Sequence, residues 1–301
     1  MTAYDIGFDI GGTKCAVILG DDGGRILSRA LFPTQALSGW REVLTRMCDE
    51  MDVLLAGREA RAVGVSCGGP LDQRRGMILS PPNLPGWDEV PVTDFIQKRM
   101  KVPAFLQNDA NACALAEWRY GAAMGTRNAI FLTFGTGLGA GLILDGKLYE
   151  GAGGLAGEVG HIRLTEDGPV GYGKRGSFEG YCSGGGLNRL AALRMGREIT
   201  ALELAERADA GDEDARRVYQ ESAEMLGRGL AILIDILNPE IIVIGSVFAR
   251  AEKYFRADME RVLREEALPT ALEKCRIVAS ALGDRLGDVA ALAVAANGAA
   301  R

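Results

Sequence analysis

Two carboxylates and an imidazole stand in a glycine-rich stretch of this chain, where their side chains could do chemistry. Glu158 and His161 follow "GAGGLAG", Glu179 comes eighteen residues after the histidine, and His161 is the chain's only histidine. Each residue alone fits a solvated loop, but together these groups could bind hydroxyl groups. With one histidine, neither a Ser/His/Asp nor a Cys/His triad can be assigned.

A second candidate is a pair of similar glycine-threonine turns. "DIGGTKCAVIL" (residues 9–19) and "FGTGLGAGLIL" (residues 134–144) each combine the end of a strand, a small-residue turn with a threonine, and another strand. The 41 glycines are about twice the usual ~7%, and they cluster at strand ends, where backbone amides can bind phosphate. A single copy equally fits a tight turn, but two copies with adjacent hydroxyls favour phosphate contact.

Two common nucleotide motifs do not account for these turns. "GTGLGA" matches the dinucleotide fingerprint only formally, because that motif needs a helix to follow and here the strand-like "GLILDGKLYEG" follows. The sequence has no G-x-x-x-x-G-K-[ST] motif. A Rossmann site and a Walker P-loop are therefore not predicted.

A third candidate is Asp109, which follows Asn108 at a predicted strand-to-helix junction. An aspartate at such a place is most often only an N-cap. A catalytic role is the alternative, and the residues alone do not separate the two.

The elements that must position these groups alternate between strands and helices. "YDIGFDI", "KCAVILG", "RILSRALF" and "RAVGVSC" predict strands, and apolar residues recur at helical spacing from Trp40 to Leu55. After Tyr181 the pattern is mostly helical, with one more strand in "EIIVIG" and a last helix in "GDVAALAVAANG". This order indicates an α/β fold, and the repeated turns, about 125 positions apart, indicate two related domains. We expect an N-terminal domain over residues 1–120 and a C-terminal domain over residues 121–285. The last helix (286–299) is a candidate to pack back onto the N-terminal domain.

Composition excludes several classes of partner. The net charge is −6 and the isoelectric point about 5.1, which argues against a nucleic-acid partner, since such proteins carry a basic face. No two of the six cysteines form a C-x-x-C pair, which favours a reducing cytoplasm over a disulfide framework. We also expect no membrane segment, because the most apolar stretch is broken by Asp235, Asn238 and Pro239.

Taken together, the motifs resemble those of the ROK sugar kinases, within the actin/hexokinase/Hsp70 ATPase superfamily. The resemblance covers nearly the whole chain and depends on the order of "DIGGTK", "GGP" before "SPPNLPGW", "NDANACALAE", "FGTGLGAGLILDGKLYEGAGGLAGEVGH", the glutamate of "GSFEGY", and "IGS". It implies two ribonuclease-H-like domains with a cleft between them, acting on a sugar and ATP in a homodimer.

The resemblance also implies residue roles. Asp109 would be the catalytic base. The residues that it implies for the sugar are Gly69, Asn83, Asn108, Asp109, Glu158, His161 and Glu179. Those that it implies for ATP and Mg²⁺ are Asp9, Gly11, Gly12, Thr13, Lys14, Thr133, Gly135, Thr136, Gly137 and Gly245, with Mg²⁺ held through Asp9.

The chain departs from the family pattern at the zinc motif. In the family, C-x-C-x-x-x-x-C precedes the glutamate, and these three positions are Val170, Tyr172 and Ser177 here. A structural zinc site needs four donor ligands. We therefore expect no zinc, a His161 that binds a sugar hydroxyl, and a loop held by packing of Val170, Tyr172 and Phe178.

These observations predict an ATP-dependent hexose kinase, with glucose favoured because "SPPNLPGW" resembles family glucokinases. A fructokinase and an N-acetylmannosamine or N-acetylglucosamine kinase are the alternatives. A rival of another class is a non-catalytic, sugar-sensing ROK regulator. Family regulators carry a helix-turn-helix ahead of the first phosphate turn, whereas eight residues precede Asp9 here.

Overall fold

The computed structural model describes residues 4–34 and 38–300. The chain forms two compact units. The first comprises Met1–Gly125 and Asp284–Arg301, and the second comprises Thr126–Gly283. In the described ranges, no helix is both long and apolar enough to span a membrane.

The first unit is built on a five-stranded mixed sheet. The strands in this unit are β1 (Tyr4–Ile10), β2 (Lys14–Gly20), β3 (Ile26–Pro33), β4 (Ala60–Cys67), the short pair β5 (Leu71–Asp72) and β6 (Met77–Ile78), and β7 (Ala104–Asn108). The main sheet has the order β3-β2-β1-β4-β7. The β1–β2–β3 meander is antiparallel, whereas β4 and β7 extend the sheet in parallel from β1. The carboxyl ends of β1, β4 and β7 therefore lie at one edge of the sheet.

Four helices accompany this sheet: α1 (Trp40–Leu55), α2 (Val92–Met100), α3 (Asp109–Tyr120) and the C-terminal helix (Leu286–Ala299). Helix α1 buries an apolar stripe that includes Leu44, Met47 and Met51, as its helical spacing predicted. The C-terminal helix is apolar nearly all round and is buried over Asp288–Ala296, because it packs on β1, β4 and α3.

The second unit repeats the sheet plan. Its strands are β8 (Ala129–Phe134), β9 (Leu138–Leu144), β10 (Lys147–Leu148), β11 (Val170–Gly171), β12 (Lys174–Arg175), β13 (Ile241–Ile244) and β14 (Arg276–Ala279). The main sheet has the order β10-β9-β8-β13-β14, again with an antiparallel meander followed by parallel strands. Strands β11 and β12 form a separate small hairpin.

Helices make up most of the rest of this unit: α4 (Phe178–Tyr181), α5 (Gly184–Met195), α6 (Ala201–Asp209), α7 (Glu213–Leu237), α8 (Val247–Glu266) and α9 (Pro269–Leu272). Helix α7, with 25 residues, is the longest of them and packs along α8. Its buried face includes Tyr219, Leu226 and Leu230.

The predicted α/β class with two related sheets is confirmed. One detail of the sequence interpretation was wrong: "EIIVIG" is not the only strand after Tyr181, because Arg276–Ala279 forms β14 beside it. This edge strand has only four residues, too few for a clear alternating pattern.

Candidate active site

The first glycine-threonine turn joins β1 to β2 and is closed by backbone hydrogen bonds. Gly11 N–H donates to the Lys14 carbonyl (3.1 Å), and Thr34 N–H donates to the Thr13 carbonyl (3.0 Å). The buried Thr34 hydroxyl also donates to the Gly11 carbonyl. Thr13 and Lys14 remain exposed. Sequence reasoning did not identify Thr34, whose partner lies 23 residues away.

The "SPPNLPGW" segment lies directly against this turn. A Cβ added to Gly12 would be 2.6 Å from the Asn83 carbonyl oxygen, so only glycine fits there. The exposed Asn83 amide also faces the end of β4, 3.8 Å from the position of a Cβ on Gly68. Gly69 follows in the exposed turn after β4, and its peptide bond to Pro70 is cis.

Helix α3 begins at Asp109, but Asn108 is its N-cap. The Asn108 side chain accepts the Asn111 N–H (2.7 Å), while the Asp109 carboxylate accepts the N–H of the next residue, Ala110 (2.8 Å). Asp109 is accessible to solvent, yet desolvation by surrounding protein still raises its pKa. Since Asn108 supplies the cap, Asp109 is not needed as one.

Asp9, near the end of β1, is a partly buried carboxylate among other carboxylates. Burial, followed by repulsion from Asp288 and Asp109, raises the pKa of Asp9 to about 7, although Arg29 and Lys14 act in the opposite direction. Arg29 Nε lies 3.0 Å from Asp288 Oδ2 in an ion pair. Burial also raises the pKa of Asp288. The end of β1, the start of α3 and the start of the C-terminal helix thus place like charges within interaction range.

The second glycine-threonine turn joins β8 to β9 and is braced by the start of α5. Gly184 N–H donates to the Gly135 carbonyl (2.7 Å) and Gly185 N–H to the Thr136 carbonyl (3.3 Å). The Thr133 hydroxyl is used within the hairpin, where it accepts the Gly139 N–H (2.9 Å). Thr136 is left exposed at the tip. The bracing glycines were not among the predicted site residues.

Gly245 follows β13 and leads into α8. Its N–H donates to the Leu132 carbonyl (3.0 Å), and the next residue, Ser246, has a positive φ of 53°. Ser246 Oγ is 4.0 Å from the position of a Cβ on Gly135. Gly245 and the second turn therefore belong to one neighbourhood of this unit.

Glu179 reaches from α4 to the same turn. Its Oε2 accepts the Leu138 N–H (3.1 Å), and a Cβ on Gly137 would come within 2.8 Å of that oxygen. The Glu179 carboxylate therefore lies directly against Gly137. Glu179 contacts a predicted phosphate turn while it remains only partly buried.

Glu158 precedes a short 3-10 turn, Val159–His161, which ends at His161, and both side chains are exposed. Lys174 Nζ donates to the His161 carbonyl (2.7 Å). The rings of His161 and Tyr172 are 5.0 Å apart between centroids, and the Tyr172 hydroxyl lies 3.5 Å from Glu158 Oε2. The structure thus brings Glu158 and His161 together around a tyrosine that sequence reasoning did not consider as a site residue.

The three positions that resemble the zinc motif take different roles. Ser177 caps α4: its hydroxyl accepts the Gly180 N–H (3.1 Å) and donates to the Gly171 carbonyl (3.1 Å). Phe178 is fully buried, as predicted, but the predicted packing of Val170 and Tyr172 was wrong, since they are 39% and 54% exposed. Val170 lies on β11 and Tyr172 lies in the loop of the β11–β12 hairpin, outside the buried core. Over residues 4–34 and 38–300, no group of three or more His, Cys, Asp or Glu side chains is arranged to hold a metal ion.

Comparison with known proteins gives one matching family model, described as the ROK family, over residues 5–297. A glucokinase of Thermotoga maritima is 31% identical, covering 96% of this chain and 96% of that protein. An N-acetylmannosamine kinase of Salmonella typhi is 33% identical (90% and 92% covered), and a xylose repressor of Caldicellulosiruptor bescii is 29% identical (93% and 75% covered).

Two solved structures are similar along nearly their whole length. The ROK hexokinase of Thermus thermophilus has a TM-score of 0.86 at 34% identity, with 97% of each chain covered. A ROK family glucokinase of Streptomyces griseus, solved in complex with glucose and AMPPNP, has a TM-score of 0.77 at 32% identity, with 97% of this chain and 99% of that chain covered.

Proposed function

Since this chain belongs to the ROK family, we propose that it is an ATP-dependent hexose kinase that transfers the γ-phosphate of ATP to a hydroxyl of glucose. The similarity to a glucokinase over almost the full length of both chains supports this substrate. The relative solved with glucose and an ATP analogue supports the pair of ligands.

The observation that carries the proposal is the state of Asp109. Its carboxylate is accessible, is not needed as the helix cap, and has a raised pKa. A raised pKa makes a carboxylate a better proton acceptor near neutral pH. Asp109 would accept the proton of the sugar hydroxyl while that oxygen attacks the γ-phosphorus. The bond from the γ-phosphorus to the β–γ bridging oxygen breaks, and ADP leaves with the electron pair.

The two glycine-threonine turns are proposed to hold the phosphates of ATP. Each offers small residues and an exposed threonine at its tip, Thr13 or Thr136, and backbone N–H groups in such turns suit anions. Lys14 is exposed next to the first turn and supplies a positive charge. Because phosphoryl transfer depends mostly on positioning and charge stabilisation, these fixed turns would contribute to catalysis directly.

Asp9 is proposed to hold Mg²⁺, and its surroundings fit a hydrated cation. Burial and repulsion from Asp288 and Asp109 disfavour the charged form of the Asp9 carboxylate. A bound cation would favour that charged form. Only one such carboxylate is needed, because Mg²⁺ in kinases keeps several waters and binds substrate phosphates. When bound, the ion would neutralise charge that develops on the phosphates.

Sugar hydroxyls are proposed to be held in each unit by side chains that remain accessible. Asn83 and Asn108 supply amides in the first unit, where Gly69 would allow close approach of the sugar. Glu158, His161 and Glu179 supply acceptors in the second unit. A cytoplasmic homodimer is part of the proposal. The family resemblance supports the homodimer, and the six free cysteines are consistent with a reducing cytoplasm.

The test is a coupled assay of ADP release with glucose, fructose, mannose, N-acetylglucosamine and N-acetylmannosamine, together with a reaction that lacks sugar. Glucose should give the highest kcat/KM, and the reaction without sugar should be slow. Asp109→Asn should reduce turnover by about a thousandfold or more while glucose still binds by calorimetry. Glucose binding without turnover in the wild type would instead favour a sugar-sensing regulator, and near-normal turnover in Asp109→Asn would overturn the base assignment.

A further inference from the structure

The small hairpin of β11 and β12 carries an unusual residue at its tip. Its two-residue loop is Tyr172–Gly173, and both residues have positive φ, 51° and 68°. Such a loop favours Asn-Gly or Gly-Gly, and a bulky side chain in the left-handed region is disfavoured. The turn geometry does not explain the tyrosine, and neither does core packing, because Tyr172 is 54% exposed.

The contacts of the Tyr172 side chain do explain why a tyrosine stands at this position. Its ring is 5.0 Å from the ring of His161, tilted by 44°, and its hydroxyl lies 3.5 Å from Glu158 Oε2. Aromatic rings at this separation attract each other. In the described parts of the chain, no hydrogen bond to the His161 imidazole nitrogens is found, and the aromatic contact of this side chain is with Tyr172.

The same hairpin restrains the backbone of the histidine. Lys174 Nζ, two residues after Tyr172, donates to the His161 carbonyl at 2.7 Å. The hairpin is joined in turn to α4, because Ser177 donates to the Gly171 carbonyl and caps that helix. His161 is therefore held from two sides, its ring by Tyr172 and its main chain by Lys174.

We propose that Tyr172 is a positioning residue for sugar binding that orients Glu158 and His161 without a metal ion. The inference rests on the proposed function, in which these two side chains bind sugar hydroxyls. Tyr172 stands at a position where the family pattern has a zinc-binding thiol, and here an aromatic contact and a hydroxyl do the orienting. The conformational cost of tyrosine at a positive φ is consistent with a residue kept for the site and not for the turn.

The test separates positioning from structure because asparagine suits the backbone of Tyr172 better than tyrosine does. Tyr172→Asn should leave Tm unchanged or raise it, whereas it should raise the glucose KM about tenfold with little change in the ATP KM. Tyr172→Phe, which keeps the ring, should give an intermediate glucose KM. Tyr149, another exposed tyrosine of the same unit, supplies the matched controls Tyr149→Asn and Tyr149→Phe, which should behave like the wild type.

A second measurement does not depend on activity. His161 is the only histidine, so in protein freed of any affinity tag, the imidazole Cε1–H signal in a proton–carbon NMR spectrum reports on it alone. Loss of the ring current in Tyr172→Asn should shift that signal, and Tyr149→Asn should leave it in place. An unshifted signal would overturn the contact.

The two proposals fail in different ways. If the wild type shows no sugar-dependent ADP release, the proposed kinase activity falls. The positioning role is then tested by calorimetry, where Tyr172→Asn should weaken glucose binding about tenfold, and it falls as well if the wild type binds no glucose. If the wild type is active with glucose but Tyr172→Asn keeps the glucose KM within about twofold, only the positioning role is overturned. A lower Tm in Tyr172→Asn with an unchanged glucose KM would assign the tyrosine a structural role instead.

Discussion

Asp9 should destabilise the folded chain at neutral and alkaline pH, and Asp9→Asn should remove this penalty. Burial and the neighbouring carboxylates raise the pKa of Asp9 from an ordinary 3.8 to about 7. The folded state therefore binds this proton more tightly than the unfolded state does. Between pH 4 and pH 7 the unfolded chain gains more from ionisation, so the stability contributed by this group decreases as pH rises and levels off above pH 7.

The size of the effect follows from the same shift. About three pH units at ~1.36 kcal/mol each give roughly 4 kcal/mol. This is an upper bound, because part of the Asp9 surface stays accessible to solvent. At ~2 °C per kcal/mol for a chain of this size, the variant should melt up to about 8 °C above the wild type at pH 8. The two proteins should have nearly equal Tm values close to pH 4.5.

The assay is thermal unfolding of both proteins from pH 4.5 to pH 8.5, without nucleotide, at constant ionic strength. The quantity compared is the difference in Tm at each pH, so that titrating groups that do not interact with Asp9 cancel. Asp22→Asn, which removes an exposed carboxylate in the β2–β3 turn, is the control for the loss of a surface charge. In kinetic assays the same Asp9 variant should lose Mg-ATP use while glucose affinity changes little. A difference in Tm that stays flat across the pH range, or that grows toward acid pH, would refute the electrostatic argument.

Three further outcomes follow from the structure. Glu179→Gln, which can still accept the Leu138 N–H, should raise the glucose KM alone, whereas Glu179→Ala should raise both glucose and ATP KM values; equal effects of the two variants on ATP would contradict this. Gly64→Ala places a Cβ 2.2 Å from the Ala291 carbonyl oxygen and should lower the free energy of unfolding, measured in urea, by ~1–3 kcal/mol. An unchanged free energy of unfolding would show that the C-terminal helix can shift to accommodate the methyl group. Elemental analysis of protein purified without added metal should find no stoichiometric zinc, and chelators should not lower Tm; one zinc per chain, lost together with activity, would refute the prediction.

The parts of the fold that could be predicted from sequence are those with a strong local pattern. The apolar spacing from Trp40 to Leu55 matches α1 in full, because one face of that helix is buried and the other is not. The start of α3 at Asp109 was also predicted, since an Asn-Asp pair after a strand is a local signal. What the local signal could not resolve was which of the two residues is the cap.

The parts that could not be predicted depend on long-range pairing or on exposure. The ion pair of Arg29 with Asp288 joins residues about 260 positions apart, and each alone resembles an ordinary surface charge. Val170 and Tyr172 were predicted to pack because they are apolar or aromatic, but hydrophobicity does not say whether a hairpin tip faces a core. In this case a neighbouring histidine, and not a core, accounts for Tyr172.

The glycine content illustrates how a correct signal can have more than one cause. Sequence reasoning attributed the abundant glycines to phosphate turns, yet Gly7 and Gly64 lie inside β1 and β4. A Cβ on either would collide with Ala291 of the C-terminal helix, so these glycines let a helix backbone approach the sheet closely. That approach places Asp288, in the first turn of the helix, within electrostatic range of Asp9. The packing of the C-terminal helix on β1 and β4 therefore helps to set the charge state of Asp9, the residue that we propose for Mg²⁺, although this helix is far from Asp9 in sequence.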